Sequence, residues 1–292
     1  MSVVNIRTAA GNHGPTRSRV DITPRKPNFG TFQNLNKYWA MGNPAVSFGQ
    51  SLFSMVIPEG EKFFIRSVNA VRDQVTDPQT LEDIKGFAKQ EGIHSKYHIV
   101  FNDNLVRHGL NVDRVTRYSK RMFNITEKLF SKKAALAVTV FAEHLTAMGA
   151  AMEFRFPELT EDTHPEADAF WRWHAAEEME HKSVAFDVYK QVGGSYFTRV
   201  GVVFLFGAMS TLFFPVIVAQ EYRGFVKNKS SETPIPLSHI ARKYPGINAR
   251  LGKFAARYFL QYFKPSFHPW DIDNSHYIEK WKVNNPYLEN SN

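Results

Sequence analysis

The chain has 292 residues, 43% apolar and 22% charged, with 25 phenylalanines and no cysteine. That apolar share can build a sizeable core and excludes wholesale disorder, and the length corresponds to one or two domains. Without cysteine there is no disulfide scaffold, thiolate zinc site, iron–sulfur cluster or cysteine nucleophile, so any metal must be held by His, Asp and Glu. The formal charge is +8, and the stretch from Glu221 onward holds 11 Lys/Arg against 6 Asp/Glu, so the basic excess is concentrated late in the chain.

Residues 1–28 read as a polar, disordered basic arm carrying Arg7, Arg17, Arg19, Arg25 and Lys26 among three prolines. No apolar run there is long enough for a secretory signal, so the folded body is expected on the cytoplasmic side. The scattered basic residues lack aromatic partners, so no nucleic-acid partner is expected. From about residue 44 to 192 helical signals dominate. Pro58 sits early in the first stretch, followed by Glu61, Phe64, Val68 and Val71 at three- and four-residue steps. Asp77-Pro78 is a cap with proline at the first helical position and opens a second helix. A break at Gly109 and Asn111 precedes a short helix over 112–123. Ser131 caps an alanine-rich helix that Pro157 stops. Thr163 and Pro165 open another that runs to about Tyr189, closed by Gly193-Gly194. No β alternation and no fixed-period repeat is present. The expectation is an all-α protein: a helical bundle with four long members over 29–195, then a hydrophobic fifth helix and a basic, aromatic helical extension over 196–292.

Each long helix carries one Glu-centred signal: Glu61; Glu91-x-x-His94; Glu143; and Glu178-x-x-His181 with His174 one turn before it. At about 100° per residue, positions three or four apart share a face, so a Glu-x-x-His pair can offer one oxygen and one nitrogen to a single ion. A bundle with single Glu donors on two helices and Glu-x-x-His on the other two can hold two metals between its members. The expected ligands are Glu61, Glu91, His94, Glu143, Glu178 and His181, with His174 as a seventh. Small residues at Ala147, Ala151 and Ala185 follow on the same faces and leave room for a substrate. The flanks are apolar (Phe63, Phe64, Phe87, Phe141 and Phe186), and buried carboxylates there need a counter-charge that two divalent ions supply. A third copy, Glu161-x-x-His164, lies in a connection and is set aside. His98 shares the face of Glu91 and is either a partner of a ligand or a core histidine. His144 is read as structural, Glu177 and Glu180 as solvated or as partners of ligands, and Asp187 as a group that could orient a ligand histidine.

At these residues the sequence resembles a family described as predicted metal-dependent hydrolases, over most of 28–230. The resemblance rests on Pro58-Glu59-Gly60-Glu61, Gln90-Glu91-x-x-His94-x-x-x-His98, Ala142-Glu143-His144 and the segment from Trp171 to Lys182. The order and spacing of the ligands is also similar to the ferritin-like di-iron oxygenases. His174-x-x-x-Glu178-x-x-His181 in particular is similar to the extended motif of the arylamine N-oxygenase branch. These resemblances imply a ferritin-like bundle with two metal ions. Four carboxylates with two or three histidines suit iron, or else manganese. The expected function is oxygen-dependent oxidation of a small apolar or amine substrate at a di-iron centre. A metal-dependent hydrolase and a non-enzymatic iron-binding protein are the alternatives. With no dinucleotide fingerprint or Walker loop, an oxygenase would draw its electrons from a donor protein.

Residues 200–219 are free of charge and long enough to span a bilayer. Pro215 interrupts them, and the positive segment beyond belongs on the same side as the body, so a monotopic insertion fits better than a crossing. Basic residues alternate with aromatics from Ala249 to Trp270, a pattern of interfacial helices on anionic lipid. Membrane association and packing as a buried fifth helix both stay open.

Overall fold

A computed structural model describes residues 20–288. Among the described residues the protein is all-α: ten α-helices joined by turns and short 3-10 segments, with no strand. The four Glu-centred segments lie on α1 (Pro44–Asn69), α2 (Pro78–Leu105), α4 (Lys132–Arg155) and α5 (Pro165–His181). Their starts follow from capping. Asn43 accepts the amides of Ala45 and Val46, Asp77 that of Thr80, and Ser131 that of Ala134, each satisfying helix-end donors. α1 packs along α2, and α4 along α5.

Three elements differ from the sequence expectation. α1 begins at Pro44, so Pro58 falls in its interior rather than near its start. A proline there supplies no amide to the carbonyl one turn back, which is that of Ser54. Asn102 on α2 replaces the missing donor, its Nδ2 reaching Ser54 O at 3.0 Å. α3 (Val112–Leu129) runs on past Phe123, because Val115, Ser119, Phe123 and Thr126 form one continuous buried stripe. The helix expected to reach Tyr189 ends at His181, and a two-residue turn leads into α6 (Val184–Gln191). Lys182 is buried in that turn. Its Nζ donates to Ile272 O and Asn274 Oδ1 at 2.7 and 2.6 Å and lies 3.8 Å from the Trp270 ring centroid, so the C-terminal segment fastens the break.

The hydrophobic stretch becomes α7 (Tyr196–Lys227), longer at both ends than expected and packed along α4 and α1. α4 has the length and apolarity to cross a membrane, but 67% of that window is buried within the body. The two halves of α7 meet the same description only as a pair bent by 43°. Near its start the Arg199 guanidinium is buried and donates to Tyr262 O and Lys264 O. Near its end Glu221 accepts the Asn111 amide at 2.6 Å and pairs with Arg114 at 3.3 Å. Next to this, Gly224 meets Gly109, whose φ of +87° suits glycine. α8 (Leu237–Lys243), α9 (Ile247–Gln261) and α10 (Ser275–Asn284) complete the chain. Tyr262 and Phe267 join Phe141 and Phe186 in one hydrophobic core, and α10 lies against α5.

Residues 1–19, the greater part of the expected basic arm, lie outside the described residues. Residues 20–28 are described, and they lie against α2 and α5: Gln90 donates to Thr23 O and the Arg25 amide to Glu177.

A Cβ at position 224 would stand 2.3 Å from the Gly109 carbonyl oxygen, a backbone atom that cannot swing away. Gly224→Ala is therefore expected to cost about 1–3 kcal/mol of stability, seen as a lower Tm. Gly252→Ala, on exposed α9 with nothing within 4 Å, leaves Tm unchanged or slightly raised.

Candidate metal centre

The seven sequence-predicted side chains come together. Glu61, Glu91, His94, Glu143, His174, Glu178 and His181 are all at most 5% exposed. In a first group His174 Nε2 lies 2.8 Å from Glu178 Oε1 and 3.7 Å from Glu61 Oε1, and His94 Nδ1 lies 3.8 Å from each of these oxygens. In a second, His181 Nε2 lies 3.2 Å from Glu91 Oε1 and 3.5 Å from Glu178 Oε2. Donor atoms within each group are within 4.8 Å of one another, close enough to hold an ion. Glu178 belongs to both and gives one oxygen to each. Glu143 stands at the edge of the second group, 3.5 Å from His181 Nε2, outside the set that meets the 4.8 Å distance.

One expectation is corrected here. The Glu91-x-x-His94 pair does not serve a single ion position: Glu91 faces the second group and His94 the first. An i, i+3 pair is offset by about 4.5 Å along the helix axis, and α2 uses that offset to reach both positions.

The far nitrogen of each clustered imidazole is tied down. His94 Nε2 meets Glu177 Oε2 at 3.0 Å, and His181 Nδ1 meets Gln90 Oε1 at 2.9 Å. His174 Nδ1 meets His98 Nε2 at 2.8 Å, His98 Nδ1 meets Ser54 Oγ at 2.8 Å, and Ser54 donates to Asn102 Oδ1 at 2.6 Å. Run outward from the cluster, these bonds give one consistent set of tautomers. With an ion bound, each clustered imidazole would donate away and turn a lone pair inward, the arrangement a ligand histidine needs. His98 is thus the partner of a clustered histidine.

Beyond this layer lies a second set of charges. Glu177 also accepts from Trp173 Nε1, the Arg25 amide and Arg25 Nη1, while Glu180 pairs with Arg25 at 2.9 Å and Lys282 at 2.9 Å. Gln90 Nε2 donates to Glu180, which orients the amide oxygen that His181 uses. The solvated alternative for Glu177 and Glu180 is overturned, since both are buried. Asp187 meets His268 at 3.0 Å, a histidine outside the cluster. His144 is structural as expected. Its Nε2 faces Tyr258 O, and burial holds its pKa down to about 4. Glu161 is exposed and bridges to Lys243, clear of the cluster.

Apart from the His174–Glu178 contact, the inner atoms have no hydrogen-bond partner. Glu61 Oε1, His94 Nδ1, Glu178 Oε2, His181 Nε2 and both oxygens of Glu91 and Glu143 are buried without a hydrogen bond. Groups left this way cost several kcal/mol together (about 1–3 each), and their convergence on two small volumes fits cations. Burial, with the nearby Glu91 charge, pushes Glu61 and Glu143 well above the usual carboxylate range, and burial raises Glu91 as well. Burial acts on Glu178 in the same direction, but His181 and His174 outweigh it and hold that carboxyl well below its usual range. His181 is raised by Glu178 and Glu143 against the effect of burial. Without cations the cluster therefore stores protons.

The family model described as "Predicted metal-dependent hydrolase" matches residues 23–273. The chain belongs to that family. The match takes in α1 to α9 and all seven clustered side chains of this predicted metal-dependent hydrolase. No curated protein and no solved structure matches it.

Sequence reading missed Arg25, which sits 152 residues from Glu177 in the chain. Only the surplus of acids in the Glu177–Glu180 segment hinted at a distant cation. Arg25→Met leaves Glu177 without its ion pair and is expected to destabilise the protein by about 3–5 kcal/mol. It is also expected to weaken metal binding about 10–100-fold through His94. Thermal melts and metal titration measure the two effects. Glu91→Ala and Glu178→Ala should remove bound metal, while Glu161→Ala should not, as read by elemental analysis. Because Glu61, Glu91 and Glu143 have raised pKa values, cations entering the cluster must displace protons. Metal affinity therefore rises with pH, and proton release into weak buffer accompanies binding.

Proposed function

We propose that this protein is a hydrolase that works with two divalent ions, held by Glu61, His94 and His174 on one side, Glu91 and His181 on the other, and Glu178 between. The observation that carries this reading is the position of Glu178, whose two oxygens each face a separate group of inward lone pairs. The family's description agrees with it. Ions bound there supply a Lewis acid for a carbonyl or phosphoryl oxygen and lower the pKa of a bound water.

The chain's own groups do the rest. Glu91, His94 and His181 are fully enclosed and act as anchors, while His174 and Glu178 keep the most residual exposure. Glu143 is the carboxylate left over at the edge, with both oxygens unpartnered, and it takes the proton from the attacking water. Ala147 and Ala151, one and two turns after Glu143, keep that side of α4 small. α7 packs along α4 and α1 and gives no side chain to the cluster.

The composition of the donor set favours a second reading. Four carboxylates and three imidazoles suit iron or manganese, and carboxylates can change coordination mode as the charge on a metal changes. On this reading the reaction is oxygen-dependent oxidation of an amine or apolar molecule, with a separate protein as electron donor.

A comparison under nitrogen and under air separates the two. Protein loaded with ferrous, manganous or zinc ions is tested on panels of carboxylic esters, amides and phosphoesters. Equal hydrolysis in both atmospheres, lost in Glu178→Ala and reduced at least about 100-fold in a metal-replete Glu143→Gln, is the expected result. Oxygen consumption by the ferrous protein, with new optical bands and no hydrolysis, would overturn it in favour of oxidation.

A further inference from the structure

α7 presents two unlike faces. Arg199, Val202, Val203, Ile217, Glu221 and Phe225 are buried against the body. On the outer side every position at three- and four-residue steps is exposed, from Phe197 and Phe204 through Pro215 to Tyr222 and Val226, and none carries a charge. Phe197 is 83% exposed and Phe204 69%. The row covers about 44 Å at 1.5 Å per residue. It continues onto α9, where Leu260 is 62% exposed, and onto the turn after it, where the Phe263 ring stands 6.4 Å from that of Phe204. Water-soluble surfaces rarely carry an apolar patch of this extent without a partner.

The charge around the row identifies that partner. Residues 196–264 contain ten Lys/Arg and two Glu, a net of +8 that equals the formal charge of the whole chain. Both glutamates are engaged inside the protein: Glu221 is buried at Asn111 and Arg114, and Glu232 accepts the amides of Lys37 and Tyr38. Exposed Arg223, Lys227 and Lys229 lie at one end of the row, and exposed Lys253, Arg257 and Lys264 lie on or next to α9, which continues the other. A second copy meeting this face would bring like charges together. A sheet of anionic headgroups over acyl chains matches both the charge and the apolar row.

We propose that the outer faces of α7 and α9 lie flat on an anionic membrane, with the aromatic row in the headgroup–acyl boundary. The helix does not cross, because both its ends are fastened to the same body through Arg199 and Glu221. This attachment is independent of the reaction at the cluster.

The full-length protein is sedimented with vesicles of phosphatidylcholine, with and without phosphatidylglycerol. Binding is expected only to the anionic vesicles and is weakened by salt. Lys227→Glu/Lys229→Glu should reduce it on the order of tenfold or more, and Phe204→Glu/Leu205→Glu should abolish it. Circular dichroism and metal content should stay as in the parent protein, which separates loss of docking from loss of the cluster or fold. Bound protein should be released at alkaline pH, as a surface-attached protein is. Absence of vesicle binding, binding unaffected by the Phe204 and Leu205 changes, or retention at alkaline pH would overturn the proposal. So would a dimer in solution that the Phe204 change dissolves, since the face would then be an interface between copies.

Discussion

Four carboxylates buried within a few ångströms of one another repel, and an apolar interior screens that repulsion poorly. The arrangement of α1, α2, α4 and α5 answers this constraint. Each brings at least one donor to a common volume, and the remaining polar atoms of those donors are given partners further out. Packing alone would place phenylalanine and leucine there. The fold instead accepts a polar centre in which most inner oxygens and nitrogens have no hydrogen-bond partner, an arrangement suited to metal ions.

Compensation then proceeds outward from the cluster. Around the inner donors lie Glu177 and Glu180, and around these lie Arg25 and Lys282, drawn from opposite ends of the described chain. Gln90 and His98 sit between shells and convert a charge problem into a matter of hydrogen-bond direction. Because each inner imidazole has an acceptor on its outward side, its ring orientation is settled before any ion arrives, and an ion need only displace the protons held on the inward side. The aromatic rings around His94 and His98, among them Trp171, Trp173 and Phe170, exclude water from these bonds and strengthen them.

The seven clustered residues were legible in the sequence because helical periodicity is a local property: a Glu and a His three apart must share a face whatever surrounds them. The same locality made Asp77 and Ser131 readable as helix caps. What escaped was decided by distant neighbours. Pro58 is tolerated mid-helix only because Asn102 serves the carbonyl it leaves bare. The break after His181 is held by Ile272 and Asn274, some ninety residues on. That Glu91 and His94 divide between two positions depends on where α5 lies, which no pattern within α2 contains. For the stretch at 200–219, hydropathy gives the amount of apolar surface but not which side is covered, and the answer came from Arg199, Glu221 and the Gly109–Gly224 contact.

The Arg25–Glu180–Lys282 junction also imposes an order on biogenesis. The inner donors all lie between residues 61 and 181, so a nascent polypeptide has emitted every one of them well before α10 leaves the ribosome. Until that last helix docks, Glu180 lacks one of its two cationic partners, and the amide of Gln90 that steers His181 is less firmly held. A chain interrupted before α10 would therefore leave Glu180 with Arg25 as its cationic partner and without Lys282, at the far side of the amide that holds His181.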